Sequence, residues 1–312
     1  MLNRYLTYFD PARQIVVLCA LLGMTFLLGA FLINFLNTNI VGYNSEALQA
    51  MKEIPMHLVN KIKLVEVIAA MAIFLVPGLL FAYLAFPDPI QYLGLKSVQK
   101  KRHLLLGILL LLIALPFSTL LEQWNAKIPM FEDMIKMNEK YETMATAMLS
   151  GTKLSDLFIN ILAICVLPAM IEEILFRGCI QQIFVHLLKD KPWIGLIITA
   201  AIFSLLHFEL SGFFPRFFLG FMLGLGYYLS GSLWVSIAMH ITNNLIIVLL
   251  AYLSHTHVID LDLNHLPEMN TWIGLLSLAL TIGVAYWFLK DREEFPIYIM
   301  HDEEIKQHTE NE

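Results

Sequence analysis

Long uninterrupted runs of apolar residues dominate this sequence, in place of the periodic stripes of a soluble core. Eight runs reach or approach the ~20 residues that a helix needs to cross a bilayer. They are residues 15–36, 64–86, 104–121, 156–176, 193–210, 213–229, 232–253 and 272–289. Backbone amides in lipid must be satisfied internally, and these runs are far longer than barrel strands. The pattern therefore predicts an all-α fold, a polytopic membrane helix bundle with about eight transmembrane helices.

Composition and charge agree with that prediction and exclude one class of partner. The chain of 312 residues is 58% hydrophobic and 15% charged, which is typical of an integral membrane protein. Its net charge of −6 arises partly from an acidic tail after Lys290 and argues against nucleic acid as a partner. Membrane lipid is the expected surrounding.

The distribution of Lys and Arg predicts the orientation of the chain. Basic residues collect before the first run, before the third, after the fourth and after the eighth, which places both termini in the cytoplasm. We expect the inner (plasma) membrane of a bacterium as the location. Three lysines oppose this distribution: Lys52, Lys61 and Lys63. The first run lacks a small-x-small cleavage site, so we expect it to remain as the first helix.

No internal repeat or long linker divides the chain, so we expect one integrated domain. Residues 1–153 contain three membrane helices and a surface helix. Residues 154–253 contain the helices with the candidate catalytic residues, and residues 254–312 contain the last membrane helix and the acidic tail. Between 123 and 155, apolar side chains recur at helical spacing among charged ones, which predicts an amphipathic helix at the membrane surface. Packing onto the bundle is favoured there over a substrate-gating lid.

Few ionisable or amide side chains interrupt the predicted spans. Each ionisable group in hydrocarbon costs at least ~2.5–3.5 kcal/mol, so their retention marks a functional site. The candidate site residues are Glu172, Glu173, Arg177, His207, His240 and Asn244.

Depth along the helices tests whether these residues can meet. Measured from the turn after the fourth run, the two glutamates lie roughly 24 Å along their helix and His207 roughly 22 Å along the next, at ~1.5 Å per residue. Measured from the turn before the seventh run, His240 lies roughly 14 Å and Asn244 roughly 20 Å along. A common intramembrane site is allowed, with Asn244 within about a helical turn of the glutamates.

Spacing within the helices suggests different roles. Glu173 and Arg177 are four residues apart and can pair, whereas Glu172 points about 100° away without a local cation and can act as a general base. His240 and Asn244 are also four apart and can donate to one substrate oxygen. A base for water with donors for an oxyanion suits amide hydrolysis. The alternative is a purely structural role, in which a buried Glu–Arg pair only stabilises the fold.

A metal is a further possibility that the residues leave open. The chain lacks His-Glu-x-x-His, the usual arrangement of two zinc-binding histidines on one helix. Glu172, His207 and His240 could still supply three ligands to a divalent metal such as zinc. The same three side chains also make a water-activating set without a metal, which we favour slightly.

Three motifs on successive helices resemble the signature motifs of the CPBP family, the CAAX-processing and bacteriocin-processing intramembrane proteases. They are Glu172-Glu173-x-x-x-Arg177, Phe203-x-x-x-His207 and His240-x-x-x-Asn244. The resemblance covers about residues 154–253. It implies an eight-helix bundle with a water-accessible cavity, in which the first glutamate activates water and the histidines and asparagine assist. Both metal-dependent and metal-independent members are described, so the question of a metal carries over.

The resemblance implies an intramembrane endopeptidase acting on membrane-associated peptides, either prenylated or leader-bearing. Two alternatives from other classes stay open. One is a proton- or ion-coupled transporter, in which intramembrane Glu, Arg and His form a relay. The other is a catalytically silent immunity or scaffold protein on the same fold, because fold does not guarantee chemistry.

Overall fold

The computed structural model describes residue 6 and residues 9–129, 131–261 and 267–296. Every regular element in these residues is helical, so the predicted all-α fold class is confirmed. The longer helices are α1 (Pro11–Val41), α2 (Met56–Ala85), α3 (Arg102–Asn125), α4 (Glu132–Leu149), α5 (Leu154–Leu187), α6 (Pro192–Leu205), α7 (Phe213–Ser230), α8 (Leu233–His255) and α9 (Thr271–Lys290). The predicted acidic tail extends beyond residue 296, outside the described residues.

Among the described residues, six helices are long and apolar enough to cross a membrane: α1, α2, α3, α5, α8 and α9. The chain is therefore an integral membrane protein. The fifth and sixth predicted spans differ from expectation. Helix α6 has 14 residues, or about 21 Å, which is shorter than the ~30 Å hydrocarbon core. Helix α7 is buried inside the bundle from Met222 to Ser230, so its second half is covered by protein.

The centre of the bundle is built around α3, α5, α7 and α8. Helix α3 packs against α7, α8 and α9, and α7 also packs against α6 and α8. Leu110, Leu111 and Ala114 of α3 are fully buried in this core. The surface helix α4 packs against α2 and α8, and its Met144 lies against a small apolar cluster that includes Ile62. The region predicted as a surface helix is thus a helix that packs onto the bundle.

Charged side chains gather at the end of the bundle where α3 begins and α9 ends. Lys100 lies 3.2 Å from Asp291 and 2.6 Å from Glu293, and His103 lies 3.2 Å from Asp291. Arg102 also pairs with Asp291. Two of the basic clusters that the charge distribution assigns to one side of the membrane therefore do lie at one end of the molecule.

Helix α5 carries the glutamates between two irregular stretches. Residues Ile161–Val166 and Phe176–Gln181 are π-helical, and the regular α-helical segment Leu167–Leu175 lies between them. Pro168 lacks an N–H group and cannot continue the α-helical hydrogen bonds, which explains the first interruption. Helix α5 is thus irregular just before Pro168. With 34 residues, α5 is about 51 Å long, and Glu172 lies near its middle.

Candidate active site

Glu173 is the centre of a buried polar cluster. Its carboxylate is fully buried and accepts a hydrogen bond of 2.8 Å from Nη1 of Arg177, which is also fully buried. The ion pair expected from the four-residue spacing is therefore present. The hydroxyl of Ser236 on α8 donates to the other carboxylate oxygen. Burial of this charge is tolerated because its oxygens have partners.

His240 connects Glu173 to Glu172. Its Nδ1 lies 2.9 Å from Oε1 of Glu173, and its Nε2 lies 3.9 Å from Oε2 of Glu172. An ionised carboxylate can only accept, so Nδ1 carries the hydrogen and donates it to Glu173. This bond fixes the orientation of the ring and directs Nε2 at the second glutamate.

Glu172 is the more accessible of the two carboxylates. Its side chain is 21% exposed, whereas that of Glu173 is fully buried. The distance of 3.9 Å to His240 is too long for a direct hydrogen bond. One face of Glu172 is therefore available to other molecules, while Glu173 is fully engaged inside the protein. The pairing of Glu173 with Arg177 is thus present, whereas the role of Glu172 as a general base stays a prediction.

Phe203 links the remaining polar residues through its ring. The ring lies 4.8 Å from that of His207 and 6.0 Å from that of His240, and the guanidinium of Arg177 lies 4.5 Å from its centroid. The phenylalanine of the second motif thus positions the polar residues of the other two. Such cation–π contacts contribute more when desolvated.

The predicted span 193–210 placed His207 inside a helix, but in the structure it lies beyond the helix end. Helix α6 ends at Leu205, and Nδ1 of His207 lies 2.8 Å from the backbone oxygen of Phe203. The following turn is held by Asn125 at the end of α3, which donates to the backbone oxygen of Leu210 and accepts from the N–H of Phe214. A turn anchored to α3 therefore presents His207.

Asn244 lies at a different level from the one that the depth calculation suggested. Its Nδ2 donates to the backbone oxygen of Ile164 at 3.1 Å. Ile164 is four residues before Pro168, so its carbonyl lacks the ordinary α-helical donor. His240, rather than Asn244, is level with the glutamates. The calculation assumed straight upright helices, whereas α5 contains two π-helical stretches and is longer than the bilayer core is thick.

We expect Asn244→Ala to lower the thermal stability of the purified protein as well as its activity. The substitution leaves the partly buried Ile164 carbonyl without its side-chain donor, at a cost of about 1 kcal/mol, the lower end of the range for an unsatisfied polar group. Thermal melting of the variant in detergent measures the effect. Thr242→Val is the matched control, because Thr242 bonds only within its own helix, to Ala238. An unchanged melting temperature for Asn244→Ala would contradict the structural role.

Two glycines of α7 form contacts that the sequence analysis missed. The backbone oxygen of Gly220 accepts 2.9 Å from Arg177, and that of Gly224 accepts 2.9 Å from Gln181. A Cβ at Gly224 would lie 2.6 Å from Oε1 of Gln181, so any larger residue at this position would displace the Gln181 side chain. The Gly-x-x-x-Gly spacing, typical of close helix contacts in membranes, was the available signal.

Glu66 of α2 is a second feature that the sequence analysis missed. Its side chain is exposed although it lies on the face of α2 that includes the buried residues Val59, Ile62 and Lys63. Its carboxylate makes no hydrogen bond or ion pair with any part of the chain that the structure describes. Glu66 is therefore an intramembrane carboxylate outside the polar cluster of Glu173.

The surface helix α4 lies within electrostatic reach of Glu172. Burial, and then the negative charges of Glu209 and Glu172, raise the pKa of Tyr141 on α4, whereas Arg216 lowers it. Glu209 and Arg216 form an ion pair of 2.5 Å across the turn that follows His207. Tyr141 of α4 and this ion pair therefore lie near each other.

The candidate ligand set for a metal is not assembled. No group of three or more His, Cys, Asp or Glu among the described residues is placed to hold a metal ion. Of the ring nitrogens, Nδ1 of His240 bonds Glu173 and Nδ1 of His207 faces a backbone oxygen. Nε2 of each ring is thus the nitrogen left for a metal, but the described structure does not bring Glu172, His207 and His240 together as a ligand set.

Comparison with protein-family models gives one match. Residues 154–246 match the family described as Rce1-like, type II CAAX prenyl endopeptidase Rce1-like. The match begins with α5 and contains all six candidate site residues, so the resemblance to the CPBP family is confirmed over this part of the chain. Comparisons with curated proteins and with solved structures gave no match.

Proposed function

We propose that the protein is an intramembrane endopeptidase of the CAAX-processing type. The observation that carries the proposal is the accessible Glu172 facing a histidine whose other nitrogen is held by buried Glu173. The Rce1-like match over residues 154–246 supports the same activity class. The expected substrates are membrane-associated peptides, either prenylated or leader-bearing, and the expected membrane is the bacterial inner membrane with both termini in the cytoplasm.

In the proposed reaction, Glu172 acts on water as the general base. It removes a proton as the water oxygen adds to the peptide carbonyl, and it returns that proton to the amine nitrogen as the C–N bond breaks. In this proposal, doubly protonated His240 donates from Nε2 to the oxyanion, and its bond from Nδ1 to Glu173 supports that role. Ser236 and Arg177 keep Glu173 in position.

Cleavage by the purified protein tests the proposal. The full chain, in detergent and then in liposomes, is incubated with a fluorogenic prenylated CAAX-type peptide, its unprenylated form and a leader-type peptide. We expect cleavage of at least one of them, and mass spectrometry locates the bond. Absence of cleavage of all three by folded protein, in both detergent and liposomes, would favour the catalytically silent alternative.

Metal removal provides a separate prediction. Because Glu172, His207 and His240 do not form a ligand set, we expect activity to survive washing with chelator. Activity is measured on chelator-washed protein whose metal content is checked by elemental analysis. Loss of activity that zinc restores would show that the site rearranges around a metal.

A further inference from the structure

A cavity of about 530 Å³ lies at the end of the bundle away from the Asp291 cluster. Helices α2 and α5 begin there and α8 ends there. Glu172 is 18 residues further along α5 than Leu154, or about 27 Å away along the helix. The cavity is therefore distinct from the candidate active site, and its position at helix ends corresponds to the headgroup region of a bilayer.

Basic side chains outnumber acidic ones in the lining of this cavity. Lys63 and Lys153 line it together with His57 and His255, and Asp156 is the acidic residue among them. The Asp156 carboxylate accepts from the backbone N–H of Lys153 at 3.1 Å, so it also caps α5. Two ammonium groups against one carboxylate leave the cavity positively charged. It suits an anion.

Lys63 is the strongest single indication of a binding site. Only 2% of this residue is exposed, yet it lines the cavity. Within the described residues its hydrogen-bond partner is the neutral Oδ1 of Asn160, at 2.5 Å. Asp156 is near enough to act on Lys63 electrostatically but forms no ion pair with it in the described structure, and a buried ammonium without such a pair is costly unless a further partner binds it. A second unsatisfied group, Nδ1 of His255, is buried beside the cavity without a hydrogen-bond partner.

The surroundings of the cavity indicate the kind of anion. Met56 at its rim and Leu154 and Phe158 beside it are at least 60% exposed. Leu154 and Phe158 are four residues apart and share one face of α5. Apolar side chains next to a cationic cavity fit a molecule with an anionic head and acyl chains.

We propose that this cavity binds a phosphate group, supplied by the headgroup of an anionic phospholipid. Lysine binds phosphate as a point charge, and basic pockets between transmembrane helices bind lipid headgroups. Lys63 and Lys153 contact the phosphate oxygens, His57 and His255 contribute further donors, and the acyl chains lie along Leu154 and Phe158.

Thermal melting of the full-length protein with two probes tests the proposal. The first compares nanodiscs of phosphatidylcholine alone with nanodiscs that also contain phosphatidylglycerol. The second compares inorganic phosphate with chloride in detergent at equal ionic strength. We expect phosphatidylglycerol to raise Tm by about 2–4 °C, because a ligand that binds only the folded state stabilises it. We expect inorganic phosphate alone to have a smaller effect.

Variants decide whether the cavity causes the increase. Lys153→Gln, an exposed position expected to fold normally, should remove most of the phosphatidylglycerol effect. Lys63→Met should remove it completely where the variant folds. Lys61→Gln is the matched control, since Lys61 is exposed on the same helix and does not line the cavity. Phosphatidylglycerol should raise the Tm of Lys61→Gln as much as that of the unmodified protein.

Two outcomes would overturn the proposal and one would refine it. If Lys61→Gln loses as much of the phosphatidylglycerol effect on Tm as Lys153→Gln does, the effect is a general attraction of basic residues to a negative membrane. If phosphatidylglycerol raises the Tm of Lys153→Gln as much as that of the unmodified protein, the cavity is excluded as the binding site. A phosphate effect as large as the lipid effect, and lost in Lys153→Gln, would support the phosphate site with free phosphate as its source.

Discussion

Glu172→Gln is expected to lower peptide cleavage about 10²–10⁴-fold while the protein remains folded, because the substitution removes a general base. Glu172 is 21% exposed, and its contact with His240, at 3.9 Å, is too long for a hydrogen bond. Its replacement by an amide of the same shape therefore breaks no buried ion pair. Initial rates on the cleavable peptide, measured beside the melting temperature of each preparation, give the comparison.

Two controls separate the role of Glu172 from a general effect of charge. Glu66→Gln removes another intramembrane carboxylate that has no partner in the described residues, and we expect its rate to stay within about threefold of the unmodified protein. Glu173→Gln removes the partner of Arg177 and should lower Tm as well as activity. A normal rate for Glu172→Gln, or an equal loss in Glu66→Gln, would reject Glu172 as the base.

The sequence was sufficient for the features that depend on spacing within one helix. The four-residue interval predicts the Glu173–Arg177 pair, because residues four apart share a helix face in any surroundings. Long apolar runs predict membrane helices because the bilayer requires internal hydrogen bonding. The start of α2 was missed by eight residues, since Lys61 and Lys63 interrupt the apolar run there.

Features that depend on how two helices approach each other were beyond the sequence. Ser236 and His240 reach Glu173 because α8 packs against the regular α-helical segment of α5. No spacing rule in the sequence fixes the register of that contact. The pairing of Asn244 with the Ile164 carbonyl follows from Pro168, but only the structure shows which side chain fills the gap. Residue counts along straight helices also miss the effect of tilt and of π-helical turns.

The irregular geometry of α5 around Leu167–Leu175 also affects how the two glutamates could act in the proposed reaction. π-helical turns on both sides of Leu167–Leu175 change the facing of the glutamates relative to the rest of α5. One carboxylate then meets Arg177 and α8, and its neighbour in sequence stays accessible. The carbonyl of Ile164, whose α-helical donor is missing at Pro168, accepts from Asn244 of α8.

Arg177→Ala is expected to be the most destabilising single substitution at the site. The guanidinium is fully buried and binds Glu173 at 2.8 Å, the Gly220 carbonyl at 2.9 Å and the face of Phe203. Its removal leaves a buried carboxylate without its cation, at a cost of roughly 3–5 kcal/mol. That is a large part of the total stability of many proteins. Low yield and a strongly reduced Tm in detergent are the expected results.

The double variant Glu173→Gln with Arg177→Met shows whether the loss is electrostatic. It removes both charges and keeps similar side-chain volumes, so it should recover much of the Tm lost in Arg177→Ala, because neither buried charge is left unpaired. Arg177→Lys keeps the charge but cannot bind Glu173 and the Gly220 carbonyl with two separate nitrogens, so an intermediate Tm is expected. Full stability of Arg177→Ala together with lost cleavage would instead assign the guanidinium to substrate binding or catalysis.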